Sequence, residues 1–284
     1  VDLGAPIEPV QPIEFGIWGA ANIDEASLHQ MRDACSLPIA AAGALMPDMP
    51  VVGGQPRSPL KVEVNETLVR GDADLFVARH AEPARLAVDK SIIALQGSLF
   101  AAYGHSESNM GNAQIELRLD HVTSVLGTGL VRFDVGSLPR KLLPLQVSAT
   151  NCIFSNNATA PFVEMTGNAP PQDFRELLQW SGQNNFYDRY ATLWLIASME
   201  ETGARSDPWD AAAWRRWSEA TETNPHFGPV IWSRRSWTTR PLGELVPADF
   251  ALDHDAPNNP PVGAANFRDA GADLDVLRAP AVSE

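Results

Sequence analysis

The sequence predicts an all-β solenoid of short, stacked strands, and three observations carry that prediction. The first is a degenerate repeat between about residues 60 and 200. Its five stretches share one plan: a short alternating strand, a polar step and a second short apolar strand. They are Val62-Glu63-Val64-Asn65 with Leu75-Phe76-Val77, Leu86-Ala87-Val88-Asp89 with Leu99-Phe100-Ala101, and Leu117-Arg118-Leu119-Asp120 with Leu130-Val131-Arg132. Val147-Ser148-Ala149-Thr150-Asn151 with Phe162-Val163-Glu164, and Leu178-Gln179-Trp180 with Leu193-Trp194-Leu195, complete the set. The second observation is the period. The apolar runs are short and alternate, whereas a helical array shows a period near 3.6 over about a dozen residues. The third is the spacing: Leu75, Leu99, Leu130, Phe162 and Leu193 follow one another at 24, 31, 32 and 31 residues. No such coil can bury its own apolar face, so stacked neighbours build one continuous core.

The elements follow in order. In residues 1–20, Pro6, Pro9 and Pro12 recur every third position. That spacing favours an extended, polyproline-like lead-in, read as a linker or as a Pro-motif ligand. Residues 21–59 are expected to cap the N-terminal end. Asn22 or Asp24 can start a helix over 22–35, with Leu28, Met31 and Cys35 on one face, and Gly53-Gly54 and Pro56 break the chain after it. The coils occupy 60–200.

The phase of the coils follows from charge. Arg132 and Glu164 are expected to face solvent, because unpaired buried charge is costly. That turns Val131, Phe133, Val163 and Met165 inward, and the same register points Phe76, Phe100 and Trp194 into the core. With rungs about 4.8 Å apart, Arg132 and Glu164 should form a surface ion pair worth at most about 1 kcal/mol.

Residues 201–284 break the repeat and remain part of the same structural domain. Asp207-Pro208 reads as a helix start, with Asp as cap and Pro at the first position, opening a helix through Trp209, Trp214, Trp217 and Ala220. Five of the eight tryptophans fall here: those three with Trp232 and Trp237. A Trp-rich helix and hairpin would cover the open end of a solenoid, whose strand edges need protection. The closing stretch, Asn258-Asn259-Pro260-Pro261 through Asp269-Ala270-Gly271-Ala272-Asp273, is polar and rich in turns.

Composition narrows the partners. A net charge of −14 and a pI near 4.8 argue against nucleic acid and anionic membranes, which need clustered Lys and Arg. The 20 glycines and 23 prolines suit a chain of many short elements. Leu37 to Met46, interrupted by Pro38 and Gly43, falls far short of the ~20 residues of a membrane span. No direct membrane insertion is expected. The N-terminus has neither the basic start nor the apolar stretch of a signal peptide. A chain beginning with Val reads as a piece of a longer protein, for which an extracytoplasmic or cell-surface setting is compatible. The two cysteines, Cys35 and Cys152, have no second Cys or His at ligand spacing. Cys152 reads as a buried small hydrophobe, and whether the two pair stays open.

The coil plan, with Asn at turns such as Asn151-Cys152-Ile153-Phe154 and Asn184-Asn185-Phe186-Tyr187, resembles right-handed parallel β-helix proteins. The tail Pro247-Ala248-Asp249-Phe250-Ala251-Leu252 with Pro261-Val262-Gly263-Ala264 resembles their closing segment in many bacterial solenoids. Ser91-Ile92-Ile93-Ala94-Leu95-Gln96-Gly97-Ser98-Leu99 and Asp120-His121-Val122-Thr123 with Gly127-Thr128-Gly129-Leu130 are similar to a planctomycete-type β-helix domain. The resemblance covers about residues 60–280. It implies a right-handed solenoid that often follows a Ser/Thr protein kinase domain, and it implies no chemistry. No Gly-rich loop, His-Arg-Asp or Asp-Phe-Gly of a kinase occurs in the chain.

Candidate chemistry is sparse. Glycoside hydrolysis typically needs two carboxylates flanking the bond. The outward first-strand positions Glu63, Ala87, Glu116, Arg118, Gln146, Ser148 and Gln179 offer no aligned acidic pair. The polygalacturonase-like and pectate-lyase signatures are absent. Gly104-His105-Ser106-Glu107-Ser108 lacks the final Gly of a nucleophile elbow and reads as a loop. His29, His80, His105, His121, His226 and His254 are scattered, so no metal ligand or cofactor is assigned. Asp253-His254-Asp255 and Asp269/Asp273/Asp275 read as solvated loops, and Asn184 and Asn185 as turn residues that stack and satisfy backbone groups. The best lead interleaves cations with aromatics: Trp214, Arg215 and Trp217, then Trp232, Arg234, Arg235 and Trp237. Such a surface suits a protein or glycan partner; packing of the end cap is the competing reading. The expected function is a non-catalytic interaction, scaffold or ligand-sensing module. The alternatives are a carbohydrate-active enzyme (lyase or glycoside hydrolase) and a glycan-binding module, the last favoured by exposed, coplanar Trp232 and Trp237.

Overall fold

The computed structural model describes residues 59–79, 82–104, 113–136, 142–200, 203–266 and 268–277. The expected lead-in, the helix over 22–35 and the N-terminal cap up to residue 58 lie outside them, as do Cys35, His29, His80 and the 105–112 loop with His105. The described chain is a parallel β-solenoid with three strands per coil. The first coil holds β1 (Leu60–Asn65), β2 (Leu68–Gly71) and β3 (Phe76–Ala78). The second holds β4 (Ala84–Asp89), β5 (Ile92–Leu95) and β6 (Phe100–Tyr103), and the third β7 (Ile115–Asp120), β8 (Thr123–Leu126) and β9 (Val131–Asp134). The fourth holds β10 (Leu145–Thr150), β11 (Ile153–Asn156) and β12 (Val163–Gly167). After a short helix α1 (Pro171–Glu176), the fifth holds β13 (Leu178–Gln183), β14 (Phe186–Asp188) and β15 (Trp194–Glu200). There the winding reverses into β16 (Gly203–Trp209) and helix α2 (Ala211–Ser218), before β17 (Glu222–Thr223) and β18 (His226–Phe227) add a partial sixth coil.

Equivalent strands of successive coils form three six-stranded sheets. The first runs β1-β4-β7-β10-β13-β17 and the middle one β2-β5-β8-β11-β14-β18; the third runs β3-β6-β9-β12-β15-β16. All pairs are parallel except β15 with β16. In the first sheet, strict alternation sends Leu117, Leu119, Val147, Ala149 and Trp180 inward and Arg118, Gln146, Ser148 and Gln179 outward. The expected phase of the third sheet holds: Phe76, Phe100, Val131, Phe133, Val163, Met165 and Trp194 are all buried. Arg132 and Glu164 are register partners, yet the guanidinium turns to Asp74 at 3.2 Å and to the Tyr103 hydroxyl at 2.7 Å. The Asp74 carboxylate is already fixed by the Ser98 N–H at 2.7 Å.

One residue per coil bends the chain from the first sheet to the middle one. Glu66, Lys90, His121, Asn151, Asn184 and Asn224 all have positive φ, between 44° and 56°, a conformation Asn tolerates best. Their side chains stack along the axis: Asn184 Nδ2 donates to Asn151 Oδ1 at 2.8 Å, and Lys90 reaches Glu66 at 3.7 Å. The residue after each of the first five bends is buried. Asn185 Oδ1 accepts from Cys152 N–H at 3.1 Å and its Nδ2 donates to Ala149 O at 3.0 Å. The expected turn role of these asparagines is what the fold uses.

Helix α2 closes the C-terminal end. Its start differs from the Asp207-Pro208 expectation. Both residues lie in β16, and Asp210 is the cap, accepting from Ala213 N–H at 2.8 Å. Pro208 fits there because β16 is an edge strand, where a missing N–H costs no ladder bond. Trp214 plugs the coil, fully buried among Phe162, Trp180, Tyr187 and Trp194. Buried Glu222 accepts from Trp214 Nε1 at 3.0 Å, from Ser218 Oγ at 3.3 Å and from the Tyr187 hydroxyl.

The remaining tail does not continue the end cap. It runs as a strap over the outer face of the middle sheet. Leu68, Ile92, Ala94, Val125, Ile153 and Phe186 on that face form one cluster with Val230, Trp232, Trp237, Leu242, Leu245, Phe250, Leu252, Ala270 and Leu277. The strap reaches the first coil, where Arg70 donates to Leu245 O, and returns to Thr123, whose Oγ1 accepts from Ala272 N–H at 2.9 Å. Gly271 lies so close to the sheet that a methyl group there would overlap Thr123 Oγ1 and Ile153 Cδ1; its φ of +83° independently favours Gly.

Candidate functional site

The tryptophan–arginine lead separates into two unlike places. Trp232 and Trp237 lie under the strap, 6 % and 4 % exposed, with rings nearly perpendicular at 87°. Trp237 stacks on Phe250 at 5.3 Å. These rings are neither exposed nor coplanar, so the feature that favoured glycan stacking there is missing. Arg235 donates to Asp188 Oδ2 at 3.2 Å; Arg234 is exposed beside it. Asp188 is fully buried and also accepts from Ser155 Oγ at 2.7 Å, Val230 N–H at 3.0 Å and Trp232 Nε1 at 3.2 Å. One carboxylate thus fastens the start of the strap to the fifth coil. A second such fastener is Asp249. Burial alone would raise its carboxyl, but Ser236 Oγ at 2.6 Å, Val246 N–H at 2.8 Å and the Arg240 guanidinium hold it below the usual range.

The other half of the lead is at the solenoid end. Trp214 is buried and Arg215 covers the ring of Phe227 at 5.1 Å. Trp217 remains half-buried. It meets a ring the sequence reading left out of the site, Trp209 of β16, also half-buried, with centroids 6.3 Å apart and planes at 67°. Asp207, Pro208 and Trp209 on β16, and Ala213, Arg216 and Trp217 on α2, line an open depression. Trp209 is fixed by its Nε1–H, which donates to Asp207 Oδ2 at 3.2 Å, and by Arg175, which covers the ring at 5.3 Å while pairing with Asp207 at 2.9 Å. Arg216 is exposed and makes no ion pair among the described residues. The i, i+3, i+4 spacing of 213, 216 and 217 puts the three on one helix face.

The first sheet corrects a second expectation. Its third outward row runs Asn65, Asp89, Asp120, Thr150 and Gln183, so Asp89 and Asp120 are aligned acidic residues on adjacent rungs. They lie one row beyond the outward positions Glu63, Ala87, Glu116, Arg118, Gln146, Ser148 and Gln179. Asp120 Oδ1 is 2.7 Å from His121 Nδ1 and Oδ2 is 3.6 Å from Arg118. Asp89 Oδ2 is 3.9 Å from Lys90, while its Oδ1 is buried without a partner among the described residues.

Among the described residues, no three His, Cys, Asp or Glu side chains are grouped to hold a metal ion. No helix among them is long and apolar enough to cross a membrane. Cys152 is buried and has no disulfide partner among the described residues, and burial pushes its thiol up to about 12.

Fold and surfaces together define a parallel β-solenoid with a strapped side and an aromatic end. No protein-family model matches the chain, and neither the curated proteins nor the solved structures contain a match to it.

Proposed function

We propose that this solenoid is a non-catalytic binding module, a scaffold that presents fixed surfaces to a protein or a glycan. One observation carries the reading: the buried carboxylates Asp188, Glu222 and Asp249 are each saturated by the fold's own donors. Groups withdrawn from water, the usual raw material of catalysis, act here as fasteners. Exposed chemistry is spread instead over a flat polar sheet and an open end. The test is incubation with a panel of polysaccharides, followed by assays for new reducing ends and unsaturated products. No turnover is expected; turnover abolished by one acidic substitution overturns the proposal.

The resemblance of the Ser91–Leu99 and Asp120–Leu130 segments supports a finer reading. The module is then a right-handed, planctomycete-type β-helix, the ligand-sensing part of a bacterial protein with a Ser/Thr kinase domain ahead of it. The full reading frame tests this: a kinase domain upstream is expected, and a parent chain without one removes that part alone.

A second reading, a carbohydrate-active enzyme, is favoured by Asp89 and Asp120. Adjacent rungs lie about 4.8 Å apart, close to the ~5–5.5 Å separation of a retaining carboxylate pair. Asp89→Asn and Asp120→Asn are therefore the substitutions to carry through the same panel.

A further inference from the structure

We infer that His121 is a pH-sensitive latch for the returning end of the strap, which docks over a neutral imidazole and loosens when the ring takes up a proton. The strap comes back to the solenoid on its row of bends. Asn184 Nδ2 donates to Ala264 O at 3.0 Å, Gly271 N–H to Asn151 O at 2.7 Å and Ala272 N–H to Thr123 Oγ1 at 2.9 Å. The bend side chains beneath form one chain of hydrogen bonds, and its direction is fixed at both ends. At the strap, Ala264 O can only accept, so Asn184 presents its amide nitrogen. The same nitrogen donates to Asn151 Oδ1 at 2.8 Å, which turns Asn151 Nδ2 toward His121 Nε2 at 3.3 Å. At the far end the Asp120 carboxylate, 2.7 Å from His121 Nδ1, accepts the single N–H of a neutral ring. Every donor meets an acceptor while the imidazole is neutral.

A proton on Nε2 breaks that order, because it sets an N–H against the Asn151 amide. Turning Asn151 over relieves the clash but obliges Asn184 to turn as well. Asn184 Oδ1 would then face the carbonyl oxygen of Ala264. The docked strap therefore disfavours the extra proton, and by linkage docking weakens as pH falls. Histidine is the side chain whose charge changes between about pH 5 and 8, and at 30 % side-chain exposure the His121 ring is open to water. The neighbouring charges on the solenoid do not distinguish the two states. Asp120 is 3.6 Å from Arg118 on the same strand, and Lys90 at the next bend is held 3.7 Å from Glu66 and 3.9 Å from Asp89. None of the five moves with the strap. On the strap, His254 Nε2 is 2.9 Å from Asp269 Oδ2, and Asp269 Oδ1 accepts from Gly263 N–H at 3.0 Å. A proton on His254 strengthens that pair, so its effect has the opposite sign.

The experiment follows amide hydrogen exchange in the full 284-residue chain at about pH 7.5 and about pH 5.5, corrected for the intrinsic pH dependence of exchange. Protection of the Gly271 and Ala272 amides is expected to fall about fivefold at the lower pH, the worth of one net hydrogen bond. Val230, held at the start of the strap by buried Asp188, should keep its protection. His121→Asn retains the bend, because Asn accepts positive φ, and lengthens the amide ladder without a titrating group. Its protection should be equal at the two pH values, and His254→Asn should still respond. Absence of a response in the unaltered chain overturns the inference. So does a response that survives His121→Asn, vanishes in His254→Asn or extends equally to Val230.

Discussion

The first and middle sheets are wound from the same coils with the same parallel ladders, yet they read differently. In the first, burial alternates strictly, because one face meets the core and the other meets water. In the middle sheet β5, β8 and β11 are buried at every position, because the strap covers the side that water would otherwise touch. Period-two patterning is thus a property of what lies on each face, not of the strand itself.

The sharpest way to break the comparison is to remove the strap. Truncation after Phe227 uncovers Leu68, Ile92, Val125, Ile153 and Phe186, each worth about 1.5–3 kcal/mol when fully buried. The sum is comparable with the whole stability of a domain, about 5–15 kcal/mol. The truncated chain is expected to aggregate or lose its cooperative melt; a soluble monomer with an unchanged melt would refute the strap's role.

Next in size is Asp188→Ala, which strips the acceptor from Ser155, Val230, Trp232 and Arg235 at once. A loss of about 3–5 kcal/mol is expected in urea unfolding. Leu117→Ala, on the inward face of the first sheet, should cost about 2–5 kcal/mol.

Alkali gives a smaller, graded effect. The fold holds the thiol of Cys152 up to about 12 and raises the hydroxyls of Tyr187 and Tyr190, in each case chiefly through burial. The unfolded chain releases these protons near about 8.5 for Cys and about 10 for Tyr. Above those values the unfolded state therefore binds fewer protons, and stability falls as pH rises. Cys152 alone contributes a slope of at most about 1.4 kcal/mol per pH unit between about 9 and 12. Cys152→Val should flatten the first part of that slope in melts from pH 7 to 10. Ser148→Ala, on the outward face beside Val147, should change stability by no more than about 0.5 kcal/mol.

Much of this was legible and some was not, for identifiable reasons. Leu117-Arg118-Leu119 announces its own strand because solvent meets Arg118. Ile92-Ile93-Ala94-Leu95 carries no alternation, so the middle strand went unread as a separate sheet and its neighbours Asn151 and Asn184 were seen only as turn residues. Asp207-Pro208 has the local chemistry of a helix start, but pairing with β15 and the ion pair with Arg175 claim it for a strand, and Asp210 takes the cap instead. Trp232 and Trp237 look like a surface motif in sequence because nothing local shows the apolar sheet they cover. Trp209 carries the local pattern of a helix start, but its pairing with Trp194 makes it a strand residue. A register extended by one outward row would have found Asp89 and Asp120 from the sequence alone.

The sequence by itself determined the coil, its inward residues and the bends that Asn favours, because those depend on contacts between residues one coil, 24 to 33 residues, apart. Only the tertiary structure decided which sheet face is covered, which tryptophans reach water and which carboxylates are fasteners. These depend on where a tail that lies 42 to 175 residues from its partners along the chain comes to rest. Its resting place follows from the fit of many weak apolar contacts around buried Asp188 and Asp249, and no local pattern encodes that fit.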